Sequence, residues 1–429
     1  MERNDRKEHD IDNAVKFLMK NYNFISLAGK KLYYFNERYY QELDIVNATV
    51  VLKECLNEDN NRLTSAYREI YNQLLTENEI WVDSMDALET REDRIVFLNG
   101  TYDVYLRRFY ENKFFEEDYM FSMIKWNYNE FDRDRGYTVE KFVSNFCDGD
   151  ERKEQLLFEI VGYCLSNFSN KKACFYLLGV PNAGKSVLCK FIELAVGREL
   201  YISIPIKELT AQFNTGELVG KKVCADEDVA IKAPLTTKDL SMIKKISSSD
   251  TIQTNSKYQR QGYIRPNCKL LWAGNGMFTF STNEDLEPFA ERLVIFPLEH
   301  SIPREERDPN IIDKLVDERN YIIRRALSAL SDLAENQFQF SLVVDAHDYI
   351  SCKQVVDGIV AFVEERCILD EGKICIFSEL YDAYERFCNE NSTYCVVKKK
   401  VFSQRLKKEF FLKDYRTSEA RKIIGISLK

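Results

Sequence analysis

The stretch Gly179-Val180-Pro181-Asn182-Ala183-Gly184-Lys185-Ser186 constrains this chain more than any other. It fits G-x-x-x-x-G-K-[ST] in full, and an apolar run from Ala173 to Leu178 leads into it while a helical pattern follows. Strand, loop and helix in that order build a cradle for phosphates. Small residues let backbone N–H groups wrap the anion, and the positive end of the helix points at it. Gly179, Pro181, Asn182, Ala183, Gly184, Lys185, Ser186 and Val187 are expected to surround a bound nucleoside triphosphate. Lys185 should reach its β- and γ-phosphates, and the Ser186 hydroxyl should ligate Mg²⁺.

The same loop occurs in GTPases, which also need Asp-x-x-Gly and Asn-Lys-x-Asp. Neither pattern exists here, and none of the sixteen glycines follows an Asp by three positions. The segments that do follow suit ATP. Lys221 to Asp228 reads as an apolar strand ending in three acids, about forty residues after the loop. Asp226 is placed for Mg²⁺ and Glu227 for polarising the attacking water, although the spacing leaves open which of 226–228 is the base. A second strand, Lys269 to Gly274, ends in Asn275, which suits holding that water. Arg292 stands just before a third strand, Leu293 to Pro297, where it can stabilise phosphoryl-transfer charge on a neighbouring subunit's ATP.

Composition narrows the setting. Hydrophobic residues are 45% and charged residues 30%, as in soluble globular proteins. No apolar run approaches the roughly 20 residues of a membrane span, and Met1 to Asp5 lacks a secretory signal. A cytoplasmic protein with no membrane partner is expected. The twelve cysteines contain no Cys-x-x-Cys pair, and His9, His300 and His347 are the only histidines. That spacing argues against zinc and for small reduced core residues. The net charge is −9, yet Lys398 to Lys429 holds eleven Lys and Arg against three acids. An acidic chain with a basic tail points to localised contact with a polyanion.

Three parts are expected. Residues 1–150 alternate helical and strand-like patterns and read as an α+β packing or oligomerisation region. It includes a hairpin at Lys31 to Tyr40 and a turn at Asn99-Gly100. Residues 151–335 form the ATPase core. Residues 336–429 hold a linker and a small α/β module with helices at Ser378 to Phe387 and Lys399 to Phe411. The second helix is expected to bury Val401, Phe402, Leu406 and Phe410 and to expose Gln404, Arg405, Lys407 and Lys408.

Taken in order, Gly179 to Leu188, Gly220 to Asp228, Ile243 to Tyr258, Leu270 to Asn275 and Phe289 to Pro297 resemble the superfamily-3 helicases. The likeness is to the helicase half of phage, plasmid and poxvirus primase–helicases. The resemblance implies an α/β fold: an AAA+ P-loop ATPase core behind an N-terminal α+β region, with a C-terminal winged-helix domain. It implies a ring, usually a hexamer, that moves 3′-to-5′ on single-stranded DNA, with ATP and Mg²⁺ as cofactors. Lys185, Asp226, Glu227, Asn275 and Arg292 would be catalytic. In a ring, Lys257, Tyr258 and Arg260 at a hairpin tip would line the pore and grip the strand. Arg405, Lys407 and Lys408 would bind origin DNA. Pro181 and Ala183 depart from the family's commoner Gly and Asn. The region before the core shows no metal-binding carboxylate set, so a host or element-encoded primase and its replisome are expected partners. The alternative is an AAA+ initiator or loader that hydrolyses ATP without unwinding.

Overall fold

The computed structural model describes residues 2–56, 64–169, 171–210, 214–229, 234–254, 262–280, 286–344, 346, 358–390, 396–410, 412–416 and 421–429. Three regions follow one another along the chain.

The first contains α1 (Glu2–Asn21), β1 (Phe24–Leu27), β2 (Lys31–Phe35), β3 (Tyr40–Leu43), α2 (Ile45–Cys55), α3 (Thr64–Thr76) and β4 (Trp81–Val82). Asn36 turns the β2–β3 hairpin by accepting the N–H groups of Arg38 and Tyr39 at 3.2 and 3.1 Å. Asp44 then caps α2, accepting from Val46 and Asn47. This is local side-chain chemistry that a turn followed by a helix start requires. The strands pair in the order β3-β2-β1-β4. One face of the sheet buries Leu32 and Leu43 against the helices, where Leu18, Leu52, Tyr67 and Ile70 are buried. The other face carries Ile25, Tyr33 and Tyr40, packed against Tyr119 and Phe121.

A three-stranded meander follows: β5 (Arg94–Phe97), β6 (Gly100–Asp103) and β7 (Arg108–Glu111). Its first turn is Leu98-Asn99, with Gly100 already paired to Phe97. Asn99 fixes the turn from outside, exchanging two hydrogen bonds with the Tyr128 backbone. Helices α4 (Tyr137–Phe146) and α5 (Glu151–Leu165) come next.

The central sheet has five strands: β8 (Cys174–Gly179), β9 (Tyr201–Ser203), β10 (Val223–Asp226), β13 (Lys269–Gly274) and β14 (Leu293–Leu298). A short antiparallel hairpin, β11 (Ile252–Thr254) with β12 (Gly262–Ile264), lies between β10 and β13 in the chain. The central order is β14-β8-β13-β10-β9, and every neighbouring pair is parallel. Such strands need apolar residues on both faces, and Cys174 to Leu178 and Lys269 to Gly274 are buried throughout. α5, α6 (Lys185–Val196) and α10 (Arg319–Glu335) cover one face. α7 (Thr237–Ser247) and α8 (Leu286–Ala290) cover the other. A further short helix, α9 (Ile311–Asp317), precedes α10.

The boundary expected at 150 falls inside a single hydrophobic core. Ile95, Phe97, Val104, Val139 and Val143 belong to the same buried cluster as Leu157, Phe175, Phe191 and Leu330. Tyr102 Oη lies 3.4 Å from Ser331 Oγ, deep in that cluster. The acidic stretch Asp148 to Glu151 at that boundary leads into a helix start, where Asp150 caps α5 by accepting from the Arg152 N–H.

The last region comprises α11 (Gly358–Arg366), β15 (Cys367–Ile376), α12 (Phe377–Glu390), α13 (Lys399–Glu409), β16 (Lys413–Arg416) and β17 (Arg421–Leu428). Its antiparallel sheet runs β15-β17-β16, over a separate core of Phe362, Leu380, Tyr384, Phe402, Leu406 and Ile423. Val401 is exposed, contrary to the helical pattern, while Ser403 is buried in its place. α13 therefore sits rotated from the expected face, and Phe410 is only half-buried. The ten described cysteines are buried and free. No described helix is long and apolar enough to cross a membrane.

Candidate functional site

The loop 179–186 joins the C-terminal end of β8 to the start of α6, and its shape depends on glycine at two points. A Cβ on Gly179 would lie 2.1 Å from the Leu298 carbonyl oxygen on β14. Gly184 has φ +82°, and its Cβ would meet the Phe146 ring at 2.5 Å. Asn182 also takes a left-handed conformation, φ +62°, which Asn tolerates better than most residues. The loop is tied down on two sides, by Val180 N–H to Leu298 O at 3.0 Å and Ile302 N–H to Asn182 O at 3.0 Å. Ala183 is buried, while Pro181, Asn182 and Ser186 stay open to solvent.

Lys185 folds back over this loop. Its Nζ donates to Val180 O at 2.7 Å, Gly179 O at 3.1 Å and Asn275 Oδ1 at 2.7 Å. All three partners are neutral oxygens. Burial lowers the Lys185 pKa, and the charge of Asp228 opposes that shift. An ammonium group gripped by dipoles, at a helix start, is poised to exchange them for phosphate oxygens.

Strand order explains how Asn275 comes to be there. β13 lies between β8 and β10, so the residue after it stands between Lys185 and the acids. Asp226 is buried, its Oδ2 accepting the Ile206 N–H at 2.8 Å, and burial raises its pKa. Glu227 is half-buried and accepts the Tyr201 hydroxyl at 3.0 Å. Asp228 is exposed. Three adjacent acids thus receive three different environments. Lys185, Asn275, Asp226 and Glu227 are brought to one edge of the sheet.

Arg292 is not. Leu293 pairs with Cys174 at the beginning of β8, while Leu298 pairs with Gly179 at its end. Six residues at about 3.3 Å each put Arg292 roughly 20 Å from its own phosphate loop. Its Nη1 donates to the Pro288 carbonyl, and its Nε is buried with no partner among the described residues.

Sequence reasoning missed Tyr201, whose role depends on the β9–β10 register that places Ser203 beside Ala225. It also missed a small pocket of about 130 Å³ beside the phosphate loop, where Asn145, Phe146, Asp148, His300 and Ile302 meet Ala183. His300 Nδ1 and Asp148 Oδ2 stand 3.3 Å apart at its edge. These residues lie far apart in the chain and carry no motif.

Among the DNA-contact residues expected from sequence, Lys257, Tyr258 and Arg260 lie outside the described residues, as does the Lys408 side chain. Arg405 is half-buried. Lys407 is engaged with Asp414 at 2.7 Å. Hydrogen bonding from Lys407, with Arg421 beside it, holds Asp414 below the usual carboxylate range.

The strand–loop–helix geometry on a parallel sheet is that of a P-loop-like core. Residues 177–292 match a family described only as of unknown function (DUF5906). Residues 355–423, the C-terminal region, match the poxvirus D5 protein-like family. No curated protein matches the sequence. Over 96% of its length the chain is similar to the A-form apo structure of the NrS-1 C-terminal region, covering 98% of that chain at 9% identity and TM-score 0.45. It is also similar to the apo NrS-1 C-terminal region (305–718), covering 96% of this chain and 97% of that one, at 10% identity and TM-score 0.47.

Proposed function

We propose that this chain is an ATP-driven replication motor, a DNA helicase working as a ring. The contact that carries this reading is Lys185 Nζ to Asn275 Oδ1, at 2.7 Å. It ties the phosphate loop to the strand that separates it from the acids, as an ATP hydrolysis site requires. The cradle fits a triphosphate, since neither Gly179, against the Leu298 carbonyl, nor Gly184, against the Phe146 ring, has room for a Cβ, and Lys185 has only neutral partners. Ser186 and Asp226 would hold Mg²⁺, which supplies charge neutralisation at the phosphates.

In this mechanism Lys185 exchanges the Gly179 and Val180 carbonyls for phosphate oxygens. Glu227, oriented by Tyr201, draws the proton from the attacking water while Asn275 holds that water in line. Arg292 serves a neighbour's site, because its distance from its own loop leaves it no role there. The C-terminal region, with its basic α13, is proposed as a winged-helix DNA-binding domain, and the poxvirus D5 protein-like match over 355–423 supports a place in DNA replication. The hairpin rooted in β11 and β12 would carry the strand-gripping residues into the pore of a hexamer.

The test is ATP turnover and strand displacement by the full chain, with and without single-stranded DNA. Turnover stimulated by DNA together with unwinding supports the motor. Hydrolysis with no displacement favours the initiator or loader, and absence of hydrolysis overturns both.

A further inference from the structure

A cavity of about 370 Å³ opens between the N-terminal region and the central core, at the edge of the sheet opposite the phosphate loop. Tyr33, Tyr39 and Phe121 form its apolar side, and Lys221, Arg265 and Asn267 face them from the core. Tyr33 and Phe121 meet edge to face with ring centroids 5.1 Å apart. Of the two acids on the wall, Glu42 is paired with Lys31 at 2.8 Å, and Glu92 accepts the Ser169 hydroxyl at 3.0 Å. Arg265 follows β12 directly and bridges to Asp86 of the N-terminal region at 3.0 Å.

Two more cations stand immediately behind this wall. Lys222 Nζ donates to Ser166 O at 3.2 Å and to Asn167 Oδ1. Lys269 Nζ donates to Asn267 Oδ1 at 2.6 Å and lies 5.4 Å from the Tyr163 ring centroid. Asn167 and Asn267 both line the cavity. Lys222 and Lys269 are buried, and neither forms a salt bridge among the described residues. Burial lowers both pKa values, Lys269 to about 8, where the charges of Cys164, Cys268 and the wall residue Glu92 oppose the shift. The charge behind the wall is thus chiefly that of Lys269, with Lys222 held less firmly protonated, and an anion in the cavity would be drawn to it. The volume sits at the lower end of small-molecule sites, which favour such seams between regions. A ligand that suits it has one flat apolar part and one negative part.

We propose that this cavity is a second nucleotide-binding site, taking one nucleotide unit with its base against Tyr33, Tyr39 and Phe121 and its phosphate toward Lys221 and Arg265. Stacking and charge are the two means by which proteins hold single nucleotides without reading sequence. The unit comes either from a free nucleotide or from a DNA strand passing the hairpin root. This site is independent of ATP hydrolysis and stands or falls separately from the motor.

The test uses the full chain carrying Lys185→Ala, so that the phosphate loop contributes least. Probes are dTMP, AMP and an oligothymidylate bearing 5-iodouracil. Photo-crosslinks are expected on Tyr33, Tyr39 or Phe121. Adding Lys221→Glu and Arg265→Glu should weaken binding at least about tenfold. Tyr39→Ser, which keeps every charge and alters a half-buried ring, should lower crosslink yield several-fold and guards against loss of folding in the charge-reversed chain. Binding of dTMP or AMP identifies a free-nucleotide site, and binding of the oligomer alone identifies a strand contact; either supports the proposal. Crosslinks confined to other regions, or affinity unchanged by charge reversal in a folded chain, overturn it.

Discussion

The two ends of the central sheet hold lysines in the same chemical grip and to opposite effect. At the C-terminal end Lys185 bonds to Asn275 and two backbone carbonyls. At the N-terminal end Lys222 bonds to Asn167 and Lys269 to Asn267. Each ammonium group ends on an asparagine oxygen. Access to water separates them: Lys185 is half-buried at a surface loop, whereas Lys222 and Lys269 are buried. A lysine at the rim can release its partners for a phosphate, while one behind a wall has no such exchange open to it, and burial loosens its hold on its proton. Position along the strand, rather than residue type, divides chemistry from electrostatic support.

The sharpest way to break this contrast is to remove one lysine from each end. Lys185→Ala should lower ATP turnover by about 10³-fold or more, measured as steady-state phosphate release; a smaller loss would make the rim lysine no different from the inner pair. Arg292→Ala tests whether the N-terminal end is chemically silent in every respect. A drop of about 10³-fold in kcat, partly restored by mixing with Lys185→Ala, would show that this end acts on a neighbouring subunit. Asn275→Ala should cost about 10²-fold in kcat, because it removes the anchor shared by Lys185 and the water.

The inner pair is read through stability. The folded-state pKa of Lys269 is depressed to about 8, so the folded chain sheds that proton first as pH rises. The unfolded chain then binds more protons, and stability rises with pH over this window. Relative to Lys269→Met, the native chain should gain on the order of 2 kcal/mol between pH 8 and pH 10, followed by denaturant melts; a flat difference would mean the ammonium group is not desolvated. Smallest is Tyr201→Phe, which should reduce kcat about fivefold through the lost bond to Glu227 and leave KM for ATP unchanged.

What could be read from sequence follows the same geography. The loop, the acids after Val223 to Ala225 and Asn275 were legible because each is fixed by a strand end and its immediate neighbours, so local pattern carries the information. The boundary expected at 150 crosses a shared cluster because Asp148 to Glu151 has the composition of a linker, while burial of Ile95 and Val139 beside Leu330 is a long-range fact. The rotation of α13 was hidden for a related reason. Val401 and Ser403 exchange places, and only packing against Phe362 and Tyr384 sets which faces inward. Tyr201 and the cavity residues belong to elements that meet only after the sheet is assembled, and no spacing records them.

The single core running from Ile95 to Phe338 also bears on how such a protein can be inherited in pieces. Recombination that respects packing has room to cut ahead of Gly358, since the C-terminal cluster is separate, whereas a cut near residue 90 would part Tyr33 and Tyr40 from Tyr119 and Phe121. A crossover just before the phosphate loop would look harmless in an alignment of motifs. It would part Tyr102 from Ser331 and leave the inner faces of α5 and α10 facing a foreign surface. The meander of β5 to β7 is thus expected to travel with the loop through descent, as one exchangeable block, while the C-terminal region is free to be traded.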